Sequence, residues 1–252
     1  MFAKERQEKN CGLLEQKSSV TVNELVHLFG VSIETVRRDL FFLEQQKCLK
    51  RVHGGAVALG SSYRMERLDR RMEENMDQKR ELSCVAARLI QEGDVIAVDA
   101  GSTAAAFAQV LKERFRTLTV ITHSLDVFQI LSGSLNPILC GGEFMKSENA
   151  FFGELTCSAF STFHVAKTFL FPSAVSVSYG IMDYILPLIP VQKAICRMGD
   201  QVLVLADSGK FETTAMMKVL DVSEQMLFIT DSQLPPEIAQ LYREKHLTVL
   251  TK

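Results

Sequence analysis

Two groups of residues in this 252-residue chain have the types and spacing to do chemistry. The first lies in Ser32-Ile33-Glu34-Thr35-Val36-Arg37-Arg38-Asp39-Leu40, where adjacent arginines share a short segment with two hydroxyls and two carboxylates. A guanidinium is a planar fork of donors that fits phosphate oxygens or the O6/N7 edge of guanine. Lys50, Arg51 and His53 follow in Leu49-Lys50-Arg51-Val52-His53-Gly54-Gly55-Ala56-Val57, a basic segment suited to lie along a phosphate backbone. The second group is small and polar: Asp99-Ala100-Gly101-Ser102-Thr103, Thr122-His123-Ser124, Gly141-Gly142 and Asp207-Ser208-Gly209-Lys210. Each piece follows an apolar run. Gly101 lets a ligand approach the backbone, Ser102 and Thr103 add hydroxyls beside free amides, and Lys210 adds a point charge. Such a set suits a phosphate monoester. Asp99 either bonds a sugar hydroxyl or braces its own loop.

The first group needs helices to present it. Ile33, Val36, Leu40 and Leu43 recur at helical spacing and are expected to face a small core. With Val36 inward, Glu34, Arg38 and Phe41 point away, and Thr35 and Arg37 lie on the flanks. Thr21-Val22-Asn23-Glu24 fits a capping box ahead of a helix whose inner side carries Val22, Leu25, Val26 and Phe29. Gly30-Val31 makes the turn, and Ser32 caps the second helix. A helix over roughly 6–16 supplies Leu13 and Leu14. The unit is a helix-turn-helix, and the basic segment turning at Gly54-Gly55 reads as its β-wing.

Charge supports that division. Residues 1–80 hold 15 Lys/Arg against 12 Asp/Glu, whereas 81–252 hold 13 against 18. The basic excess thus sits with the arginine pair, and it is small enough that affinity calls for a homo-oligomer presenting two heads. Six scattered cysteines (Cys11, Cys48, Cys84, Cys140, Cys157, Cys196) without a Cys-x-x-Cys read as free thiols of a reducing compartment. The five histidines show no ligand spacing, so neither metal nor cofactor is expected. The absence of a signal peptide or a membrane-spanning run points to the cytoplasm, with no membrane partner.

The second group needs a sheet. Val95–Val98, Leu118–Ile121, Pro137–Cys140, Ala166–Phe171, Val202–Leu205 and Leu227–Ile229 are apolar runs separated mostly by helical patterns, with Leu247–Leu250 as a closing strand. Continuous apolar strands alternating with helices predict a mostly parallel sheet covered on both faces. Ligands of such sheets gather at the carboxyl ends of the strands, where the small polar residues fall. The expected fold class is α/β: a winged helix-turn-helix over 1–60, a charged linker over 61–80, and a larger Rossmann-like layered domain over 81–252. Arg64, Arg67, Arg70 and Arg71 stand in that linker, and an amphipathic helix over about 76–91 follows.

Arg6, the helix after it, the Ser32-x-x-Thr35-Val36-Arg37-Arg38-Asp39-Leu40 run and the Arg51-to-Ala56 wing resemble the amino-terminal signature of the DeoR family of bacterial transcriptional regulators. Asp99–Thr103, Thr122-x-Ser124, Gly141-Gly142, Gly153 and Ala206-Asp207-Ser208-x-Lys210-Phe211 resemble the effector domain of the same family, and Lys193 matches as well. The resemblance implies a fold similar to ribose-5-phosphate isomerase. It also implies a repressor of double-stranded DNA operators, released by a phosphorylated sugar or polyol. Ser102 stands where the family more often has Thr, and His123 where it more often has Asn. Phe169–Val175 replaces a glycine-containing run, and 184–190 is unusually apolar.

A second reading is a sugar-phosphate isomerase or deaminase with an appended nucleic-acid-binding domain. Such chemistry needs a general base, for which Asp99, Glu143, Glu154 and Asp207 are nominal candidates. No carboxylate–histidine pair stands out, and no catalytic residue is assigned. The choice between repression and activation depends on the operator's position, which the protein does not encode.

Overall fold

A computed structural model of the chain describes residues 5–7, 9–10, 13, 19–45, 48–52, 55–58 and 67–251. The chain divides into two compact units, Met1–Arg64 and Met65–Lys252.

The first unit runs β1 (Ser19–Thr21), α1 (Val22–Phe29), α2 (Ile33–Gln45), β2 (Leu49–Val52) and β3 (Gly55–Ala58), after helical residues at 5–7, 9–10 and 13. The capping box forms as its spacing dictates: the Glu24 amide donates to Thr21 Oγ1 at 3.2 Å, and Glu24 Oε2 accepts from the Thr21 amide at 2.8 Å. Gly30 ends α1 with φ of 62°, the left-handed turn open to glycine. Leu25, Val36, Leu40 and Leu43 close the core with Val20, Leu49 and Ala56; Leu13, Val22, Val26 and Phe29 pack against it. Ile33 does not join them. It opens α2 and is 46% exposed. Leu14, His53 and Gly54 lie outside the described residues. β1 was not expected from the sequence. It completes an antiparallel sheet in the order β1-β3-β2, with Thr21 opposite Gly55.

The second unit opens with α3 (Leu68–Glu73) and α4 (Met76–Ala87). Then come β4 (Val95–Val98), α5 (Ser102–Arg114), β5 (Thr119–Thr122), α6 (Leu125–Leu131) and β6 (Asn136–Leu139). The hairpin β7 (Glu143–Met145) and β8 (Ala150–Phe152) leads to α7 (Glu154–Ser161), β9 (Val165–Leu170), β10 (Ala174–Ser176) and β11 (Gly180–Asp183). The chain closes with α8 (Ile189–Arg197), β12 (Gly199–Leu205), β13 (Met217–Leu220), β14 (Leu227–Ile229), α9 (Pro236–Glu244) and β15 (Thr248–Leu250).

All seven expected strands enter one parallel sheet, ordered β15-β14-β12-β9-β4-β5-β6. Strand alternation splits its side chains between two cores. Ile96, Val98, Val120, Phe169, Leu203 and Leu205 meet α4, α5 and α6 on one face. Ala97, Ile121, Leu170, Val204 and Phe228 meet α7, α8 and α9 on the other. Phe107 of α5 stacks at 4.8 Å on Phe169. A second, antiparallel sheet, β10-β11-β13, was not foreseen.

The stretch 61–80 differs from the exposed linker expected of it. From Met65 onward it belongs to the second unit; it is partly helical, as expected, but not exposed throughout. Leu68 and Lys79 are buried, because Lys79 shares the inward stripe of α4 with Leu82 and Ala86. Among the described residues, Cys48, Cys84, Cys140, Cys157 and Cys196 are free thiols. No described helix is long and apolar enough to cross a membrane.

Candidate nucleic-acid interface and anion site

On α2, Ser32 acts first as a cap: its Oγ accepts from the Thr35 amide at 3.2 Å and lies 2.9 Å from Thr35 Oγ1. Arg37 pairs with Glu34 one turn back at 3.3 Å, with both side chains well exposed. A surface pair of this kind is worth about 0–1 kcal/mol, so its guanidinium is readily given up to a phosphate. Arg38 is exposed on the outward face. Arg51 of β2 reaches back onto α2. Its amide donates to Glu44 Oε1 at 2.8 Å, and its guanidinium sits 5.7 Å from the centre of the exposed Phe41 ring. Lys50 belongs to β2, and His53 lies outside the described residues.

Sequence reasoning missed what holds α2 in place. Asp39, the acid after the arginine pair, is buried and takes a two-pronged ion pair from Arg6, with Gln7 adding a hydrogen bond at 3.3 Å. Positions 33 apart in sequence leave no local signal of this contact.

At the sheet's carboxyl edge, Gly101 precedes α5 with φ of 116° and open space where a Cβ would stand. Ser102 and Thr103 start the helix, both buried, and Thr103 Oγ1 has no partner among the described residues. Lys210 Nζ donates to the Pro172 carbonyl at 3.1 Å and lies 3.7 Å from Asp207. Burial lowers its pKa, opposed by the Asp207 and Asp183 charges.

Two further cations share this neighbourhood, neither foreseen. Lys79 donates to the Arg71 and Glu74 carbonyls, the latter at 2.6 Å. Burial, then the Lys210 charge, pushes its pKa down to about 8. Arg71 forms a part-buried ion pair with Glu148, whose own pKa burial raises. The Lys210 and Arg71 charges both lower Lys79, and the Arg71 charge lowers Lys210, a crowd of like charge that an anion would relieve. The available hint was Lys79 on an otherwise apolar helix stripe.

Asp99 is buried at the end of β4, and its Oδ1 lies 2.9 Å from His123 Nε2. His123 Nδ1 lies 2.8 Å from the Phe151 carbonyl. A carbonyl only accepts, so that assignment puts a hydrogen on Nδ1; Nε2 can bond the carboxylate only if a second proton sits between them. This is a carboxylate–histidine pair that residues 24 apart did not reveal. The other expected residues are arranged differently. Thr122 Oγ1 accepts from the Ser124 amide, and Ser124 Oγ caps α6 at the Val127 amide, so both hydroxyls brace the turn. Gly142 is a packing glycine: a Cβ there would meet Thr156 Oγ1 at 2.2 Å and the Phe152 carbonyl at 2.5 Å. Gly141 is exposed, and its carbonyl accepts from Thr156. Lys193 is half-buried on α8, and among the described residues no hydrogen bond or ion pair joins it to Asp99, Lys210 or Lys79.

Comparison with known proteins agrees with this layout. The model of the DeoR-like helix-turn-helix domain matches residues 6–62, and that of the DeoR C terminal sensor domain matches residues 74–232. The chain is 32% identical to the HTH-type transcriptional regulator YulB of Bacillus subtilis, over 99% of its length and 96% of the relative's. It is 30% identical to the HTH-type transcriptional regulator GolR of Listeria innocua over 99% and 98%, and 28% identical to the glycerol-3-phosphate regulon repressor of Escherichia coli over 93% of each. A solved ribose 5-phosphate isomerase A from Methanocaldococcus jannaschii is 19% identical over 55% of each chain, with a TM-score of 0.42. The relatives matched along nearly their whole length are regulators, so the enzyme alternative falls away. The chain belongs to the DeoR family of transcriptional regulators.

Proposed function

We propose that this regulator is a repressor of sugar or polyol metabolism genes that leaves its operator when a phosphorylated sugar or polyol binds the sensor unit. Its operator contacts come from Ser32, Glu34, Thr35, Arg37, Arg38, Lys50, Arg51 and His53, presented by a cytoplasmic homo-oligomer. A dimer would set two α2 helices about 34–36 Å apart, one turn of duplex, or a multiple of that. The effector's phosphate sits at Gly101, Ser102 and Thr103 with Lys210, and its hydroxyls sit toward Asp99. Thr122, Ser124, Gly141 and Gly142 shape that edge, and Lys193 lines it from α8. One observation carries the reading: Lys79 and Lys210, two lysines whose pKa burial lowers, and a Thr103 hydroxyl without a partner among the described residues lie in the unit whose helix α5 opens at the sheet's carboxyl edge.

Two measurements test it. A phosphorylated sugar or polyol held at 100 times its Kd should stabilise the protein by ~2.7 kcal/mol in a thermal-shift panel. Lys210→Ala should abolish that shift, and a shift that persists undiminished removes the anion from this place. In gel-shift titrations, Arg38→Ala should cost about 1–3 kcal/mol of operator affinity and relax sequence choice at one base pair. Wild-type affinity in that variant would sink the operator assignment.

A further inference from the structure

Gln192 of α8 stands between two buried carboxylates. Its Nε2 donates to Asp183 Oδ2 at 2.8 Å and stretches to Asp99 Oδ2 at 3.5 Å. Turned the other way, the amide would press its oxygen against an ionised Asp183, so this orientation is the one assigned for the carboxylate form, although burial raises the pKa of Asp183. Its Oε1 is then left buried with no donor among the described residues. The rest of the network is already committed. Asp183 Oδ1 accepts from Ser173 Oγ at 2.8 Å and from the Tyr184 amide at 2.7 Å, while Asp99 Oδ1 faces His123. What remains over is acceptor: the Gln192 amide oxygen and the weakly held Asp99 Oδ2. A buried amide oxygen without a donor carries a desolvation cost that only an incoming donor removes.

Toward Lys210, which the Asp183 charge reaches, the character reverses: Lys79, Lys210 and the first amides of α5 are donors, though burial lowers the pKa of both lysines. A molecule filling both ends is anionic at one end and rich in hydroxyl donors along the other. A second anionic group at the acceptor end would meet Asp99 and Asp183. We propose that Gln192 is a specificity-determining residue of the sensor: its amide oxygen accepts from a hydroxyl of the effector's carbon chain, and the two flanking carboxylates exclude phosphorylated acids. This rests on the sugar-phosphate reading above and narrows it to uncharged, hydroxylated monophosphates.

The test uses the full-length protein and isothermal titration with four kinds of probe: inorganic phosphate, polyol monophosphates of three to six carbons, their deoxy counterparts and 3-phosphoglycerate. At least one polyol monophosphate should bind about tenfold or more tighter than inorganic phosphate, and 3-phosphoglycerate should bind no tighter than inorganic phosphate. Gln192→Met keeps the length of the side chain and removes its acceptor together with the donor to Asp183. It should bring the best polyol monophosphate down about tenfold, toward its deoxy counterpart, while leaving inorganic phosphate binding unchanged. An equal advantage in wild type and Gln192→Met overturns the inference, as does wild type preferring 3-phosphoglycerate. Should Gln192→Met fail to fold, the wild-type ranking decides alone: deoxy counterparts binding as tightly as the parents defeat the assignment. Inorganic phosphate binding with no polyol advantage defeats this inference and leaves the anion site standing; the absence of all binding defeats both.

Discussion

Asp39→Ala is expected to unfold the DNA-binding unit while the sensor unit stays folded. The side chains of Arg6 and Asp39 are 8% and 5% exposed, and the guanidinium meets both carboxylate oxygens. Removing one member of a buried pair strands the other charge, at a cost of about 3–5 kcal/mol. A core the size of this unit's supplies roughly 3–5 kcal/mol in all. The substitution therefore spends the whole margin of the head. Thermal unfolding should show an early transition absent from wild type, and operator binding should vanish in a gel shift. Asp39→Asn, which keeps an acceptor for Arg6, should fall between. An unchanged melting profile for the alanine variant would show that the pair does not hold α2.

His123→Leu should be nearly as costly in the other unit. Leucine resembles the ring in bulk but donates to neither neighbour, leaving the Phe151 carbonyl and the buried Asp99 carboxylate without the donors they now have. A stranded buried charge again implies about 3–5 kcal/mol. His123→Asn restores one donor toward Asp99 and should recover part of the loss. Denaturant titration of the sensor transition measures both. If leucine costs less than about 1 kcal/mol, Asp99 is not relying on His123.

The parallel sheet was legible because most of its strands are short, predominantly apolar runs, as burial on both faces favours. The capping box and the Gly30 turn were legible because they act within a few residues. What escaped were contacts between distant positions: Arg6 with Asp39, His123 with Asp99, Arg71 with Glu148. No periodicity encodes such pairs. The second sheet escaped because β10 has three residues and follows Pro172-Ser173, too short a run to show alternation. Charge density misled at 61–80. A run of Arg, Glu and Asp reads as solvated chain until Leu68, Lys79 and Leu82 are placed on faces that neighbouring helices cover. At the anion edge the chemistry was legible as a set of residue types, but its division of labour was not: Thr122 and Ser124 spend their hydroxyls on the turn, while Lys79, counted as linker, joins Lys210.

The register of the head's small sheet ties its parts into a single cooperative body. β1 pairs with β3 through Thr21 opposite Gly55, and Thr21 is also the residue that caps α1. A Cβ at position 55 would stand 2.1 Å from the Val20 carbonyl, so the strand ahead of the first helix and the far arm of the hairpin seal onto each other only over glycine. Loosening the hairpin therefore uncaps the helix, and amide protons of α1 and β3 should exchange with solvent at one common rate.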